Sequence, residues 1–308
     1  MICCKDKFVV LDLFCGAGGL SNGFEQAGFD IIAGIDNWQD ALQTFAHNHK
    51  NAKAIKVNLT KATPQIVGKQ LDSKHIDVII GGPPCQGFSI AGKRIIEDER
   101  NQLYKSFVSF VAFYKPKAFV LENVPNILAM GGGIIKEQII NDFENLGYGV
   151  SCKILLASDF GVPQNRKRAF FVGIQNNVEF IFPNAISKEK VTAKEAISDL
   201  PNSTLEDGSN YPISAQSAYQ ELMRKESKGV FNHQITLHKE KTIKIIDLVP
   251  DGGCYKDLPE ELQQTRRVNI AWTRLNSNKP SFTIDTGHNH DFNHLQMILY
   301  FCVVKQVN

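Results

Sequence analysis

The sequence predicts an α/β protein: a doubly wound, mostly parallel sheet followed by a smaller, irregular second region. Three observations carry that prediction. Apolar runs of strand length recur, each followed by a turn and then a helical pattern. The first of these runs leads directly into a glycine turn, and the alternation stops near Asn184, where polar, proline-punctuated sequence takes over. The expected division is therefore residues 1–184, residues 185–290 and a dense apolar tail at residues 291–308.

Phe8-Val9-Val10-Leu11-Asp12-Leu13-Phe14 reads as a buried strand, and Cys15-Gly16-Ala17-Gly18-Gly19 as a glycine turn opening into a helix near Leu20. A strand, glycine turn and helix start put backbone N–H groups at the strand's carboxyl edge, where open α/β sheets bind cofactors. The glycines fall at 16, 18 and 19, which is not the dinucleotide spacing. The next strand, Asp30 to Asp36, ends in a carboxylate that reads equally as a ribose-binding acid or as a cap before Asn37-Trp38. Ala54 to Leu59 is a short third strand, with Asn58 as a possible adenine contact.

Ile76-Asp77-Val78-Ile79-Ile80 is a fourth strand, and it runs into Gly81-Gly82-Pro83-Pro84-Cys85-Gln86-Gly87-Phe88-Ser89. The glycines allow close backbone approach and the prolines stiffen the turn, so the thiol stands at a rigid tip. Cys85 reads either as a small buried apolar residue or as an aimed nucleophile. Only about 3% of a free thiol is ionised at neutral pH, so the second reading needs cationic neighbours. Arg100 and the Gln164-Asn165-Arg166-Lys167-Arg168 cluster could supply them.

A polar loop carries Lys93, Arg94 and Arg100 into a helix over Asn101 to Tyr114, with Leu103, Phe107, Phe110 and Val111 on one face. Lys117 to Leu121 is a buried strand ending in Glu122-Asn123-Val124-Pro125. Alone, Glu122 would be a cap; at the same edge as Cys85 it reads as an acid beside a nucleophile. Gly131 to Gly133 start an amphipathic helix whose Ile135, Ile139, Phe143 and Leu146 face the core, and Gly147 caps it. Two further strands, Gly149 to Ala157 and Ala169 to Ile174, flank a loop in which Gln164, Arg166 and Arg168 alternate and so point the same way. Two arginines aimed together position an anion or polarise a carbonyl. Short helices are expected at Thr192 to Leu200 and Ala215 to Lys225, and Asp251-Gly252-Gly253 reads as a plain turn.

Composition narrows the classes. A chain of 308 residues with 43% hydrophobic and 21% charged residues is an ordinary globular protein. No apolar run approaches the roughly 20 residues of a membrane span, and Met1 to Lys7 lacks the order of a signal peptide, so a cytoplasmic location is expected. Seven scattered cysteines without a Cys-x-x-Cys pair indicate neither a disulfide framework nor a zinc site. A net charge of +2 is too mild to name nucleic acid as the partner.

Taken together, Gly81 to Ser89, Glu122-Asn123-Val124 and Gln164-x-Arg166-x-Arg168, in that order and at these separations, resemble the DNA (cytosine-5)-methyltransferases. The resemblance implies a large S-adenosylmethionine-binding α/β domain, a smaller target-recognition domain and double-stranded DNA between them. It implies a covalent Cys85 adduct on a flipped cytosine, with Glu122 binding ring nitrogen 3 and the exocyclic amine, Arg168 holding oxygen 2, and Arg166 orienting the Cys85 and Glu122 pair. It places the cofactor on Phe14, Gly16, Ala17, Gly18, Gly19, Leu20, Asp36, Asn37, Trp38, Asn58, Leu59, Pro83 and Leu103. DNA contacts fall to Gln86, Ser89, Arg100 and Gln164, with no metal required. Two positions depart from the family pattern: Asn37 separates Asp36 from the aromatic Trp38, and Asn58 stands where an aspartate is usual.

Arg274-Leu275-Asn276 and Pro280 to Gly287 still look familial, but beyond about His290 the family's later segments are replaced by the apolar run Leu295 to Val304. The expectation is a catalytic subunit completed by a second polypeptide; a truncated, inactive remnant and a transfer RNA cytosine-5 methyltransferase are the rivals. A non-catalytic paralogue is disfavoured by the intact Cys85, Glu122, Arg166 and Arg168.

Overall fold

A computed structural model describes residues 7–71, 75–84, 102–186, 189–234, 239–263 and 273–284. The chain divides into two compact units, Met1–Leu155 with Lys167–Pro183 and Leu156–Arg166 with Asn184–Asn308.

The first unit holds a seven-stranded sheet. In chain order its strands are β1 (Val9–Leu13), β2 (Asp30–Asp36), β3 (Lys53–Lys56), β4 (Val78–Gly81), β5 (Ala118–Asn123), β6 (Tyr148–Leu156) and β7 (Lys167–Gln175), arranged 3-2-1-4-5-7-6. Strands β1 to β5 pair in parallel, and β7 runs antiparallel to β5. The mostly parallel expectation is met, with an antiparallel β7 that the periodicity did not distinguish.

Helices cover both faces because both faces of the central strands are apolar. Val10, Ile31 and Ile80 pack with Leu42 and Phe45, beneath α1 (Gly19–Gln26) and α2 (Gln39–Asn48). Leu11, Leu13 and Ile79 pack the other way, with Val67 of α3 (Pro64–Gly68), Phe107 and Phe110 of α4 (Gln102–Tyr114), and Ile139 and Phe143 of α5 (Ile134–Glu144). Alternate residues of β1 thus serve opposite cores, as a strand covered on two sides requires. Phe119 stacks on Phe143 with ring centroids 3.9 Å apart, and Phe107 meets both rings edge-on. Leu146 was expected on the core face of α5, but it lies beyond the helix end and is 39% exposed, because the chain turns at Gly147 (φ 89°).

Gly173 on β7 lies opposite Phe119 on β5, and a Cβ there would fall inside the Phe119 ring's van der Waals envelope. Gly173→Ala is therefore expected to cost about 1–3 kcal/mol through overpacking. A urea unfolding curve should show a lower midpoint at unchanged slope; an unchanged midpoint would contradict the packing.

At the amino-terminal end of the sheet, the Asp77 carboxylate accepts the Val9 N–H at 2.9 Å and pairs with Lys117 at 2.7 Å, so the end opposite the glycine turn is pinned by charge.

The second unit is built on short helices: α6 (Ala193–Ile197), α7 (Ala218–Arg224), α8 (Glu240–Leu248) and α9 (Glu260–Gln263). The expected helices at Thr192 to Leu200 and Ala215 to Lys225 are thus shorter than their patterns, while α8 went unread. Thr192 and Glu195 form a capping box that starts α6. Ala193, Ala196, Ile197, Leu200, Val230 and Leu275 make a small core, and the buried Asp199 is held by Arg224 at 2.6 Å. The Gln164 loop belongs to this unit: Asn165 donates to the Ser281 carbonyl at 2.7 Å, and Ser281 donates to Pro163 at 2.9 Å. Asp251 accepts from Ser277 N–H and hydroxyl, so Asp251 to Gly253 is a tied turn.

No described helix is long and apolar enough to cross a membrane. Among the described residues, no cluster of His, Cys, Asp and Glu could hold a metal ion.

Candidate functional site

Strand register assembles the site. Leu13 pairs with both Ile35 and Gly81, and Gly81 pairs with Leu121. The next residues of the four strands, Phe14, Asp36, Gly82 and Glu122, therefore leave the sheet side by side at its carboxyl edge, where parallel sheets take ligands.

The glycine turn is formed by positive φ at Phe14 (62°), Gly16 (53°) and Gly18 (89°). Gly18 is the N-cap of α1, and no side chain caps that helix. Added Cβ atoms at Gly16 and Gly19 would meet nothing within 4 Å, so one side of the turn is open. Asp36 accepts from the backbone on two sides. Its Oδ1 accepts the Asn37 and Trp38 N–H groups at 2.7 and 3.0 Å, and its Oδ2 accepts the Gly16 N–H at 2.9 Å. The carboxylate ties the glycine turn to the start of α2, and Oδ2 keeps a second lone pair for a hydroxyl. Trp38 is 64% exposed beside it, a free aromatic surface. Asn58 turns its side-chain carbonyl onto Thr60, accepting the N–H at 3.0 Å and the hydroxyl at 2.7 Å. Leu59 is 4% exposed in the core, so only its backbone could meet a ligand.

Asp12 lies beneath the turn, and its sequence context gave no sign of its state. The carboxyl is 1% exposed; Oδ2 accepts the Ser21 hydroxyl at 2.6 Å and Oδ1 has no partner. Burial pushes it up to about 7, against the Ser21 hydrogen bond and with the help of the Asp36 charge. Between about pH 4 and about pH 7 the unfolded chain has lost this proton while the folded chain keeps it, so rising pH favours unfolding. Above both values the contribution is flat. Asp12→Asn should therefore reduce the fall in unfolding free energy between pH 5.5 and 7.5 by on the order of 2 kcal/mol. Equal slopes for both proteins would refute it. The neighbouring Cys15 thiol is also pushed up by burial, which makes it a packing residue rather than a nucleophile.

The other half of the edge is acidic and basic. Glu122 Oε1 pairs with Arg168 Nε at 2.7 Å, with 28% and 21% of the two side chains exposed. The antiparallel register explains the pair: Glu122 lies opposite Phe170, so Arg168, two residues away, projects from the same sheet face. Gly82 leaves room for the carboxylate, since a Cβ there would stand 3.0 Å from Glu122 Oε2. Buried Asn123 donates from Nδ2 to the Pro83 carbonyl at 3.0 Å, fixing the exit of β4. That tie was not foreseen, although Asn123 directly follows Glu122. Leu103 is half-buried on α4. Gln164 is 8% exposed and Arg166 half-buried, both in the second unit. Cys85, Gln86, Ser89 and Arg100, with the loop between them, lie outside the described residues, as does the apolar tail.

The model of C-5 cytosine-specific DNA methylases matches residues 8–295, a span that includes the glycine turn, the Gly-Gly-Pro-Pro exit and the Glu122–Arg168 pair. The chain belongs to that family. It is 39% identical over 270 residues to the type II methyltransferase M.DdeI of Desulfomicrobium norvegicum, covering 84% of this chain and 65% of that protein. It is 34% identical over 277 residues to M1.HphI of Haemophilus parahaemolyticus, covering 89% and 69%. The chain thus spans about two thirds of the length of these relatives. Among solved structures, a DNA modification methyltransferase encoded within an E. coli prophage superposes with a TM-score of 0.71 at 25% identity, covering 94% of this chain and 85% of that one.

Membership of the C-5 cytosine-specific methylases implies S-adenosylmethionine as the methyl donor. The residues present fit it. The open side of the Phe14 to Gly19 turn offers N–H groups for a carboxylate, Asp36 for ribose hydroxyls and Trp38 for an adenine ring. With its carbonyl committed to Thr60, Asn58 is left with amide N–H groups to offer adenine.

Proposed function

We propose that the chain methylates carbon 5 of a flipped-out cytosine in a specific double-stranded DNA sequence, as the modification enzyme of a restriction–modification system. The observation that carries this reading is the Glu122–Arg168 pair, set at the sheet edge beside the Pro83 exit that leads to Cys85. Family membership and the type II relatives support it.

Carbon 5 of cytosine is a poor nucleophile. The Cys85 thiolate adds to carbon 6, forming a carbon–sulfur bond and pushing electron density toward carbon 5 and the ring nitrogen. Glu122 faces nitrogen 3 and the exocyclic amine: a proton on its carboxyl passes to nitrogen 3 and neutralises that density, while the other oxygen accepts from the amine. Arg168 holds Glu122 in place through Nε and donates from one terminal nitrogen to the Lys167 carbonyl at 2.8 Å, which leaves its other terminal nitrogen for cytosine oxygen 2; Arg166 orients the Cys85 and Glu122 pair. Bound S-adenosylmethionine supplies the methyl to carbon 5 as a sulfonium electrophile. Loss of the carbon 5 proton restores the double bond and expels the Cys85 thiolate. A stacked base cannot be reached this way, so the cytosine must leave the duplex. Gln86, Ser89, Arg100 and Gln164 are the proposed DNA contacts, and residues 185–290 the target-reading region.

A second polypeptide that completes the enzyme is part of this proposal, supported by the departure from the family pattern after Gly287 and by the apolar run that follows it. Labelled methyl transfer from S-adenosylmethionine to unmethylated duplex DNA tests both points, with the chain alone and with lysate of its source cells. Transfer to DNA that requires lysate is the expected result. Full activity of the chain alone would refute the second polypeptide, and transfer to transfer RNA but not to DNA would refute the substrate.

A further inference from the structure

His49 follows the last turn of α2 and takes no part in the chemistry above, yet it is only 1% exposed and both its ring nitrogens are engaged. Nδ1 faces Glu25 Oε2 at 2.7 Å, and Nε2 faces the Gly18 carbonyl at 3.1 Å. A backbone carbonyl can only accept, so Nε2 is the donor to Gly18. Phe45 lies against the ring, with centroids 4.5 Å apart. A Cβ on Gly18 would overlap both His49 and Phe45, which accounts for glycine at this position independently of its φ of 89°. Glu25 on α1, Gly18 in the turn and His49 after α2 are therefore joined through one imidazole.

The consequence lies in the peptide between Gly18 and Gly19. The described peptide bonds are all trans, and in a trans peptide the carbonyl and the following N–H point in opposite directions. The Gly18 carbonyl is held inward, by His49 Nε2 and by the Asn22 N–H at 2.9 Å. The Gly19 N–H is then turned outward. As the first residue of α1, Gly19 has no carbonyl partner within the helix, and its far side is open.

We propose that His49 is a positioning residue for the cofactor turn: by holding the Gly18 carbonyl it aims the Gly19 N–H at the carboxylate of the methionine moiety of S-adenosylmethionine. This rests on the reading of the Phe14 to Gly19 turn as the cofactor cradle. Its signature is selective. Loss of His49 should weaken recognition of the carboxylate and leave the adenosine end alone.

The experiment is titration calorimetry with S-adenosylhomocysteine and with its decarboxylated analogue, an adenosyl thiopropylamine, using the wild-type chain and three variants. The wild type should prefer the carboxylate-bearing ligand. His49→Leu should reduce that preference about tenfold, the scale of one charge-assisted hydrogen bond. His49→Gln, which keeps a donor for Gly18, should retain more of it. Glu25→Ala, a change at a partly exposed carboxylate, should lower it two- to threefold. If His49→Leu does not fold, the other two variants carry the same comparison. Equal loss of both ligands, leaving the preference at its wild-type value, would overturn the role of His49 alone. A wild type that binds S-adenosylhomocysteine but does not prefer it over the analogue would also overturn it. A wild type that binds neither ligand would overturn the cradle and the inference together.

Discussion

Replacing Cys85 with serine is expected to lower single-turnover methyl transfer to DNA by at least about four orders of magnitude, with duplex binding retained. A hydroxyl ionises far less readily than a thiol, so the attack on carbon 6 loses its nucleophile. The geometry for the attack is set before the cysteine is reached. Strand β4 is buried along its length, Gly82 makes way for Glu122, and Asn123 holds the Pro83 carbonyl at 3.0 Å. The measurement is a rapid-quench assay with labelled cofactor, alongside a binding assay on the same duplex. A serine variant within tenfold of wild type would remove the covalent step from the mechanism.

The second large effect concerns Glu122 and Arg168 as a unit. Glu122→Gln keeps the shape but discards the charge, and should cost about 10²- to 10³-fold in the rate of the chemical step. Arg168→Ala should cost a similar factor, because it releases the carboxylate and also removes the remaining guanidinium donors. The two carry one function through a 2.7 Å contact, so the double variant should be little worse than the poorer single one. Cofactor affinity should stay within about twofold for all three, since the pair acts on the base. Multiplicative losses in the double variant would show that the residues work separately, and a parallel loss of cofactor affinity would place them in the wrong half of the site.

Much of this was legible in the chain because the information is local. Apolar runs such as Val9 to Leu13 and Val78 to Gly81 declare themselves as strands, and the residue that follows each is by geometry at the ligand-binding edge. What could not be read depends on partners distant in sequence. Nothing near residue 167 says that β7 runs against β5, yet that direction is what brings Arg168 to Glu122. Asp36 was ambiguous between cap and ligand because the sequence shows only its neighbours, whereas its second oxygen is used 20 residues away by Gly16. The buried state of Asp12 and the engagement of His49 with Gly18, 31 residues back, left no mark at all. Leu146 was misread for the opposite reason: helical periodicity was carried up to Gly147, whereas the helix already ends at Glu144.

The division between the two units falls at three peptide bonds: between Leu155 and Leu156, between Arg166 and Lys167 inside the Gln164 to Arg168 motif, and between Pro183 and Asn184. That placement bears on how such enzymes could exchange targets during evolution or in the laboratory. Recombination at those three bonds would import a new second unit together with its own Gln164 and Arg166, already strapped to its own Ser281, while Glu122 and Arg168 would stay together with the parent. A crossover two residues later would separate the acid from the arginine that holds it. The seam favours inheritance of the acid–arginine pair as one allele and of the second unit as another.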